Sequence, residues 1–333
     1  MSWVCGAVVS ALLVFLKSSV PATDHPENRL APLEGLRARA SYRPNDRSRP
    51  TVCLVHGINS SSAGFIHLIP QLEQAGYGVV VYDYDYNQKL GTTCERFRED
   101  WHEFRRNRGE TLPWGVIAHS MGALLARSLV ETQPAASREA ASLILIAPVN
   151  QGAHLARLQT LVQLVTKFRS AAVTEQRRSF ERLTDSIGKA AADDMLPGSQ
   201  FLQSLNQRPR AQGVRYHILS GDRGFLTQAD RREFESRLTL IERNAGLLGK
   251  LTRLAADEIR SMLDELSDGT GDGCVALERT RLSGVTDQLT IHANHAELIR
   301  APLLYPDPGP VACMPHVLRW LQEDMTRGSA DRH

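Results

Sequence analysis

A serine flanked by small residues is the feature of this 333-residue chain best suited to chemistry. Ser120 lies at the centre of residues 118–122, with the sequence Ala-His-Ser-Met-Gly, between an apolar run and a helical pattern. A tight strand-to-helix turn strains its middle residue and needs small neighbours two positions to either side, which Ala118 and Gly122 provide. The turn would present the Ser120 hydroxyl at a helix N-terminus, where developing negative charge is favoured. We therefore predict that Ser120 is a nucleophile.

The loop that follows the first apolar run is suited to stabilising negative charge. When a serine attacks an acyl carbon, a tetrahedral oxyanion forms, and two backbone N–H groups must already point at it. The loop at His56 and Gly57 could supply one donor and the N–H of Met121 the other. Gly57 would let the backbone approach the reacting atoms without an intervening side chain. We therefore predict an oxyanion hole built from this loop and Met121.

A nucleophilic serine also requires a base, and two histidines near the end of the chain are candidates. His295 follows the last predicted strand, residues 288–292, and precedes apolar residues that would pack. His292 would lie within that strand, where a structural role is more common. We therefore predict His295 as the base, with His292 as the alternative.

The base in turn needs a carboxylate to orient its ring. Asp222 follows the fifth apolar run, and Asp268 and Asp272 follow the helical stretch after it. All three lie between Ser120 and His295 in the chain, in the order nucleophile, acid, base. The residue types and spacings alone leave the choice among these acids open.

The apolar pattern predicts the elements that must position these residues. Five short apolar runs alternate with helical stretches, at residues 51–55, 78–82, 114–118, 143–147 and 214–219. Strands that are apolar throughout are typical of a parallel sheet with helices on both faces. The alternation therefore predicts a doubly wound, mostly parallel α/β sheet.

Two longer helical segments interrupt this alternation, at residues 150–212 and 225–266. Each is too long for a plain connection, so we interpret both as insertions that cap one face of the sheet. The domain is predicted to span residues 51–327, after an irregular leader at residues 23–50. An amphipathic stripe in the first insertion predicts either packing on the domain or a mobile lid over an apolar pocket; its members are Leu158, Leu161, Val162, Val165 and Phe168.

The N-terminus carries an apolar run at residues 3–16. This run is shorter than the roughly 20 residues that a membrane-spanning helix needs. Its length is typical of a signal peptide, and Ala22 could end a cleavage site. Residues 1–22 are therefore predicted to export the chain or tether it to a membrane. The alternative is a cytoplasmic protein, because no Lys or Arg precedes the run.

Charge and cysteine content exclude several classes of function. The 39 basic and 37 acidic residues give a net charge of +2, which provides no footprint for nucleic acid. Arginines between residues 37 and 49 are interpreted as a solvated approach to the first core strand. The five cysteines form no CxxC pair, so no zinc site is predicted. A Cys274–Cys313 disulfide is an option if the chain is exported.

From Thr51 to about Asp324, the chain resembles α/β-hydrolase lipases and esterases. Residues 56–58 are similar to their oxyanion loop, in which the residue after His-Gly supplies the N–H, here Ile58. Residues 118–122 match their Gly/Ala-His-Ser-x-Gly turn. Residues 271–275 resemble their Asp-Gly-x-Val segment, whose aspartate is the triad acid. The resemblance therefore favours Asp272 over Asp222.

This resemblance implies the α/β-hydrolase fold and a serine hydrolase that cleaves carboxylic esters through Ser120, His295 and Asp272 without a cofactor. The implied substrate is a small-molecule or lipid ester, with contact to a membrane or lipid surface. Alternatives are an acyltransferase using the same triad and a non-catalytic binding protein. In related lipases a calcium-ligating Asp often follows the catalytic His by two residues. That position is Glu297 here, so no metal is predicted.

Overall fold

Seven strands form one sheet in the computed structural model, which describes residues 34–132, 138–154, 189–243, 249–300 and 311–327. The spatial order of the strands is β1-β3-β2-β4-β5-β6-β7. All pairings are parallel except that of β1 with β3. The strands are β1 Gly35–Ala38, β2 Thr51–Val55, β3 Gly78–Asp83, β4 Trp114–His119, β5 Ala140–Ile146, β6 Arg215–Gly221 and β7 Gln288–Ile291.

Helices follow most of the strands in the described part of the chain. Two 3₁₀ helices, Ser62–Phe65 and Leu277–Thr280, accompany them. The α-helices are α1 Leu68–Gln74, α2 Leu90–Asn107, α3 Gly122–Thr132, α4 Lys189–Asp194, α5 Gln200–Asn206, α6 Gln228–Arg243, α7 Gly249–Leu266 and α8 Met314–Arg327. This arrangement confirms the predicted doubly wound, mostly parallel α/β sheet.

The core consists of two hydrophobic layers, one on each face of the sheet. Along β2, Cys53 and Val55 enter one layer, while Val52 and Leu54 enter the other, because strand side chains alternate between faces. Helices α2 and α3 cover the first layer, and α1 and α8 cover the second. Burial on both faces explains why the strands are apolar throughout.

The parallel strands bring their carboxyl ends to one edge of the sheet. His56 follows β2, Ser120 follows β4, Asp222 follows β6 and His295 lies four residues after β7. Ligand sites in open α/β sheets lie at this edge. The topology therefore gathers residues that are far apart in sequence.

The leader predicted to be irregular contains a strand. Gly35–Ala38 forms β1 and pairs antiparallel with β3 at the end of the sheet. All four residues are half-buried, and Leu36 and Ala38 alternate with Arg37, so the two apolar side chains pack against one hydrophobic layer. The strand forms because the outer edge of β3 offers backbone N–H and C=O groups that need partners.

The predicted insertions are described in part. Helices α4 and α5 lie between β5 and β6, and α6 and α7 lie between β6 and β7. The amphipathic stripe from Leu158 to Phe168 and the apolar run at residues 3–16 lie outside the described residues. Within the described ranges, no helix is both long and apolar enough to cross a membrane.

Candidate active site

Ser120 occupies a strained turn between β4 and α3. Its φ of 54° is left-handed, a conformation that few residues other than glycine adopt, and its side chain is nearly buried. The Ser120 N–H donates to the Ile146 carbonyl at 2.9 Å. A Cβ at Gly122 would stand 2.3 Å from the His56 carbonyl oxygen and 2.6 Å from that of Val55. Only glycine fits there, which explains the last residue of the motif.

The loop after β2 lies against the Ser120 turn. A Cβ at Gly57 would be 2.8 Å from the Cβ of Ser120, so this glycine permits the contact. Ile58 follows it and packs against one hydrophobic layer. Met121 lies just before the first residue of α3, where backbone N–H groups have no intrahelical acceptor. The structure thus brings the two predicted oxyanion donors, Ile58 and Met121, to the neighbourhood of Ser120.

An ion pair between a buried aspartate and a partly exposed arginine holds the far end of this loop. The Asp83 carboxylate, at the end of β3, accepts the Ser62 N–H at 2.6 Å and pairs with the Arg37 guanidinium. Arg37 also donates to the Ser62 hydroxyl at 3.0 Å. The Arg37 side chain is 41% exposed, in keeping with the predicted solvated cluster, and it also makes this ion pair because β1 carries it to the site edge. No pattern in the sequence connects Arg37 with Asp83.

Tyr84 holds the beginning of the same loop. Its hydroxyl donates to the His56 carbonyl at 2.6 Å, and its ring stacks on the His56 imidazole with centroids 4.2 Å apart. Burial lowers the pKa of His56, which keeps this imidazole neutral. His56 is therefore a packed support for the loop.

Asp272 and His295 form a buried hydrogen-bonded pair. The His295 Nδ1 lies 2.8 Å from Asp272 Oδ2. The other carboxylate oxygen accepts the N–H groups of Cys274 at 2.9 Å and Val275 at 2.8 Å. The His295 N–H also donates to the Asp272 carbonyl at 2.9 Å. Because an ionised carboxylate only accepts hydrogen bonds, Nδ1 carries a proton and Nε2 is left to act as a base.

His119 connects this pair to the serine turn. Its ring lies 4.6 Å from the His295 ring, centroid to centroid, and its Nε2 is 3.1 Å from the His295 carbonyl oxygen. Burial, with a further contribution from His295, lowers the pKa of His119 well below its ordinary value. This neutral ring is a spacer between the predicted base and the turn that carries Ser120.

Asp222 contacts the other histidine. Its Oδ1 lies 2.8 Å from His292 Nδ1, and the His292 side chain is 62% exposed. His292 follows the end of β7, whereas the sequence predicted it to lie within the strand. Near the end of β7, the described residues therefore contain two hydrogen-bonded Asp–His pairs, one buried and one at the surface. The buried pair is Asp272 with His295.

Glu297 forms an ion pair with a cationic side chain of the protein itself. Its carboxylate pairs with the Arg223 guanidinium and accepts the Asn294 N–H at 3.1 Å. An arginine at this position fills the role that a calcium ion would have. The residue pattern therefore does not suit a calcium site.

The ligand-type atoms of Asp272, Cys274 and His295 lie within 4.8 Å of one another. Burial raises the pKa of the Cys274 thiol well above its ordinary value, so the thiolate that binds metals is disfavoured. Both Asp272 oxygens already accept hydrogen bonds. These residues do not suit a metal. Cys274 and Cys313 are free thiols in layers on opposite faces of the sheet, so no disulfide joins them.

The chain belongs to a family described as a domain of unknown function (DUF7379), whose model matches residues 25–257. This match covers Ser120 and ends before Asp272 and His295. A search of curated proteins found no match.

Solved structures identify the fold. The mature lipase BlEst2 of Bacillus licheniformis superposes with a TM-score of 0.54 at 18% identity, over 85% of this chain and 97% of that chain. Phospholipase PlaB of Legionella pneumophila gives 0.53 at 15% identity, over 84% of this chain and 61% of that chain. The chain thus spans less than two thirds of PlaB. These likenesses confirm the predicted α/β-hydrolase fold.

Proposed function

We propose that this chain is a serine hydrolase that cleaves carboxylic esters. The observation that carries the proposal is the buried Asp272–His295 pair, packed through His119 against the strained turn of Ser120. A strained serine, a histidine with a bonded carboxylate and a glycine-lined loop are the parts that acyl transfer requires. The fold of lipases and esterases supports this interpretation.

The proposed reaction has two steps. Ser120 Oγ attacks the ester carbonyl carbon while His295 takes the hydroxyl proton, and Asp272 stabilises the resulting imidazolium. The N–H groups of Ile58 and Met121 hold the oxyanion. The C–O bond to the alcohol then breaks, and His295 returns the proton to the departing alcohol. Water, deprotonated by His295, then attacks the acyl carbon; the bond between that carbon and Ser120 Oγ breaks, His295 returns the proton to Oγ, and the carboxylic acid leaves.

Lipid esters are the substrate class to test first. BlEst2 is described as a lipase and PlaB as a phospholipase, and both share this fold. A lipid substrate also agrees with the proposal that residues 1–22 bring the chain to a membrane or export it. A small soluble ester is the other member of the same reaction class.

A panel of p-nitrophenyl esters with increasing acyl length tests the function. We expect the wild-type protein to release p-nitrophenol and Ser120→Ala to lose this activity. Ser128→Ala is a matched control, because Ser128 lies on α3 and is half-buried. The optimum chain length then separates a short-chain esterase from a lipase. Full activity in Ser120→Ala, or none in the wild type toward every ester, would overturn the proposal.

A further inference from the structure

Glu265 is a buried carboxylate at the end of α7 that the proposed reaction does not use. Its side chain is 3% exposed, and it lies directly behind the loop at residues 271–275, which carries Asp272. We refer to this segment as the acid loop. An acidic side chain buried this deeply requires hydrogen-bond or charged partners that compensate for its lost hydration.

Two partners converge on one oxygen of Glu265. The Oε1 atom accepts the backbone N–H of His154 at 2.7 Å and lies 2.6 Å from Nη1 of Arg279. His154 is in the loop after β5, and Arg279 belongs to the 3₁₀ helix that follows the acid loop. The carboxylate therefore joins three segments that are distant in sequence.

The backbone of Glu265 also contacts the acid loop. Its carbonyl accepts the Gly273 N–H at 2.9 Å. A Cβ at Gly271 would lie 2.4 Å from the same carbonyl oxygen, so only glycine permits this approach. Asp272 lies between these two glycines. The orientation of the Asp272 carboxylate thus depends on where the last turn of α7 is held.

The charges around Glu265 come from every element packed on it. Burial raises the pKa of Glu265 to about 8, and the neighbouring Asp272 carboxylate also raises it. The His154 N–H and Arg279 act in the opposite direction. The Cys274 thiol faces the same carboxylate. The charged form of Glu265 makes the stronger hydrogen bonds to its two donors. Ionisation therefore tightens these contacts, while the burial that raises the pKa makes the same ionisation costly for overall stability.

We propose that Glu265 is a positioning residue that, with Arg279, fixes the acid loop and so the orientation of Asp272 toward His295. The inference rests on the proposed function. Ionised Glu265 would act in two ways: it would hold the loop, and its negative charge would favour the imidazolium that His295 becomes during the reaction. Loss of either effect should lower kcat and leave KM unchanged, because the acid loop separates Glu265 from the substrate.

The test is the pH profile of ester hydrolysis by Glu265→Gln. The amide keeps an oxygen to accept the His154 N–H but removes the charge. We expect kcat to fall by about tenfold at pH 9 with KM unchanged, which corresponds to about 1.4 kcal/mol of lost transition-state stabilisation. We also expect the wild-type kcat to rise through an ionisation near pH 8, and this rise to be absent from Glu265→Gln.

Glu131→Gln is the matched control. Glu131 is a buried glutamate paired with Arg127 and Arg210, and it lies about 16 Å along α3 from Ser120. We expect this variant to lose stability but keep the wild-type pH profile. Arg279→Gln is the second test if Glu265→Gln does not fold, and we expect it to shift the ionisation near pH 8 upward.

The outcomes separate the two proposals. An active wild type whose pH profile is reproduced by Glu265→Gln and by Arg279→Gln would overturn the positioning role and leave the proposed function intact. Equal loss of kcat in Glu265→Gln and Glu131→Gln, with unchanged profiles, would show a structural role only. Wild-type protein without Ser120-dependent activity would overturn the proposed function itself.

Discussion

The nucleophile side and the acid–base side of the site are held in different ways. Ser120 is placed by its own turn, whose shape follows from backbone strain and from the close approach of Gly57 and Gly122 to the strand ends. Asp272 and His295 are placed by contacts that join α7, two loops and a 3₁₀ helix. The first region depends mainly on local sterics, and the second depends in addition on buried charge.

This difference has a consequence for mutation. Adding a Cβ at a glycine that has no room for one destabilises the folded protein at every pH. Removing one charge from a network weakens the remaining contacts only in part. The size of that effect depends on pH, because each carboxylate can gain a proton. Four experiments test this contrast.

Asp272→Asn should produce the largest loss. It removes the acceptor that fixes the tautomer of His295, and such a change lowers kcat on the order of 10⁴-fold. Asp222→Asn is the matched control, because Asp222 is hydrogen-bonded to His292. We expect less than about a twofold change from this control. The reverse ranking in steady-state kinetics would assign the acid to Asp222.

Gly122→Ala should unfold the nucleophile side without altering any charge. The added Cβ would meet the His56 carbonyl at 2.3 Å, and such overpacking costs on the order of 3 kcal/mol. Gly91→Ala is the control, since a Cβ at this α2 position meets nothing within 4 Å. It should gain about 0.5–1 kcal/mol through helix propensity. Urea unfolding followed by circular dichroism measures both, and equal stabilities would contradict the close approach.

Arg37→Gln tests whether the ion pair with Asp83 supports the oxyanion loop. We expect about a tenfold loss of kcat with a small change in KM, because a displaced donor loses transition-state stabilisation. Arg43→Gln is the control, as Arg43 donates only to the backbone carbonyls of Ala40 and Tyr42 among the described residues. An Arg37 variant as active as this control would show that the ion pair does not support the oxyanion loop.

The last effect is on stability, and it depends on pH. The pKa of Glu265 is raised to about 8 in the folded protein, so the folded state binds a proton more tightly than the unfolded state does. The free energy of unfolding of the wild type should therefore decrease, relative to Glu265→Gln, between about pH 4.5 and 8. The slope should be at most about 1.4 kcal/mol per pH unit. A constant difference across this range would contradict the buried, titrating carboxylate.

The sequence predicts the nucleophile side more completely than the acid–base side. Apolar runs and glycine positions define β2, β4 and the turn of Ser120, since these signals are local. The choice between Asp272 and Asp222 is not local. Asp222 and Asp272 lie at the same edge of the sheet. Asp222 is hydrogen-bonded to His292 and Asp272 to His295, and these two histidines are only three residues apart.

Two other features that hold the site in place, β1 and Glu265, are not predicted by the sequence for related reasons. β1 has only four residues, so the alternation of Leu36, Arg37 and Ala38 is too short to predict a strand without the edge of β3 with which it pairs. Glu265 has the appearance of an ordinary charged residue on an amphipathic helix. Its burial follows from packing against the acid loop, and no spacing along the chain encodes that contact.

Ser120 is the residue that we propose attacks the ester. Treatment of the wild-type protein with a fluorophosphonate, followed by peptide mass spectrometry, labels such a nucleophile covalently. We expect one adduct, on the peptide containing Ser120, which forms in Ser128→Ala, is absent from Ser120→Ala and forms far more slowly in Asp272→Asn. An adduct on a different residue, or no adduct on folded protein that hydrolyses esters, would contradict it.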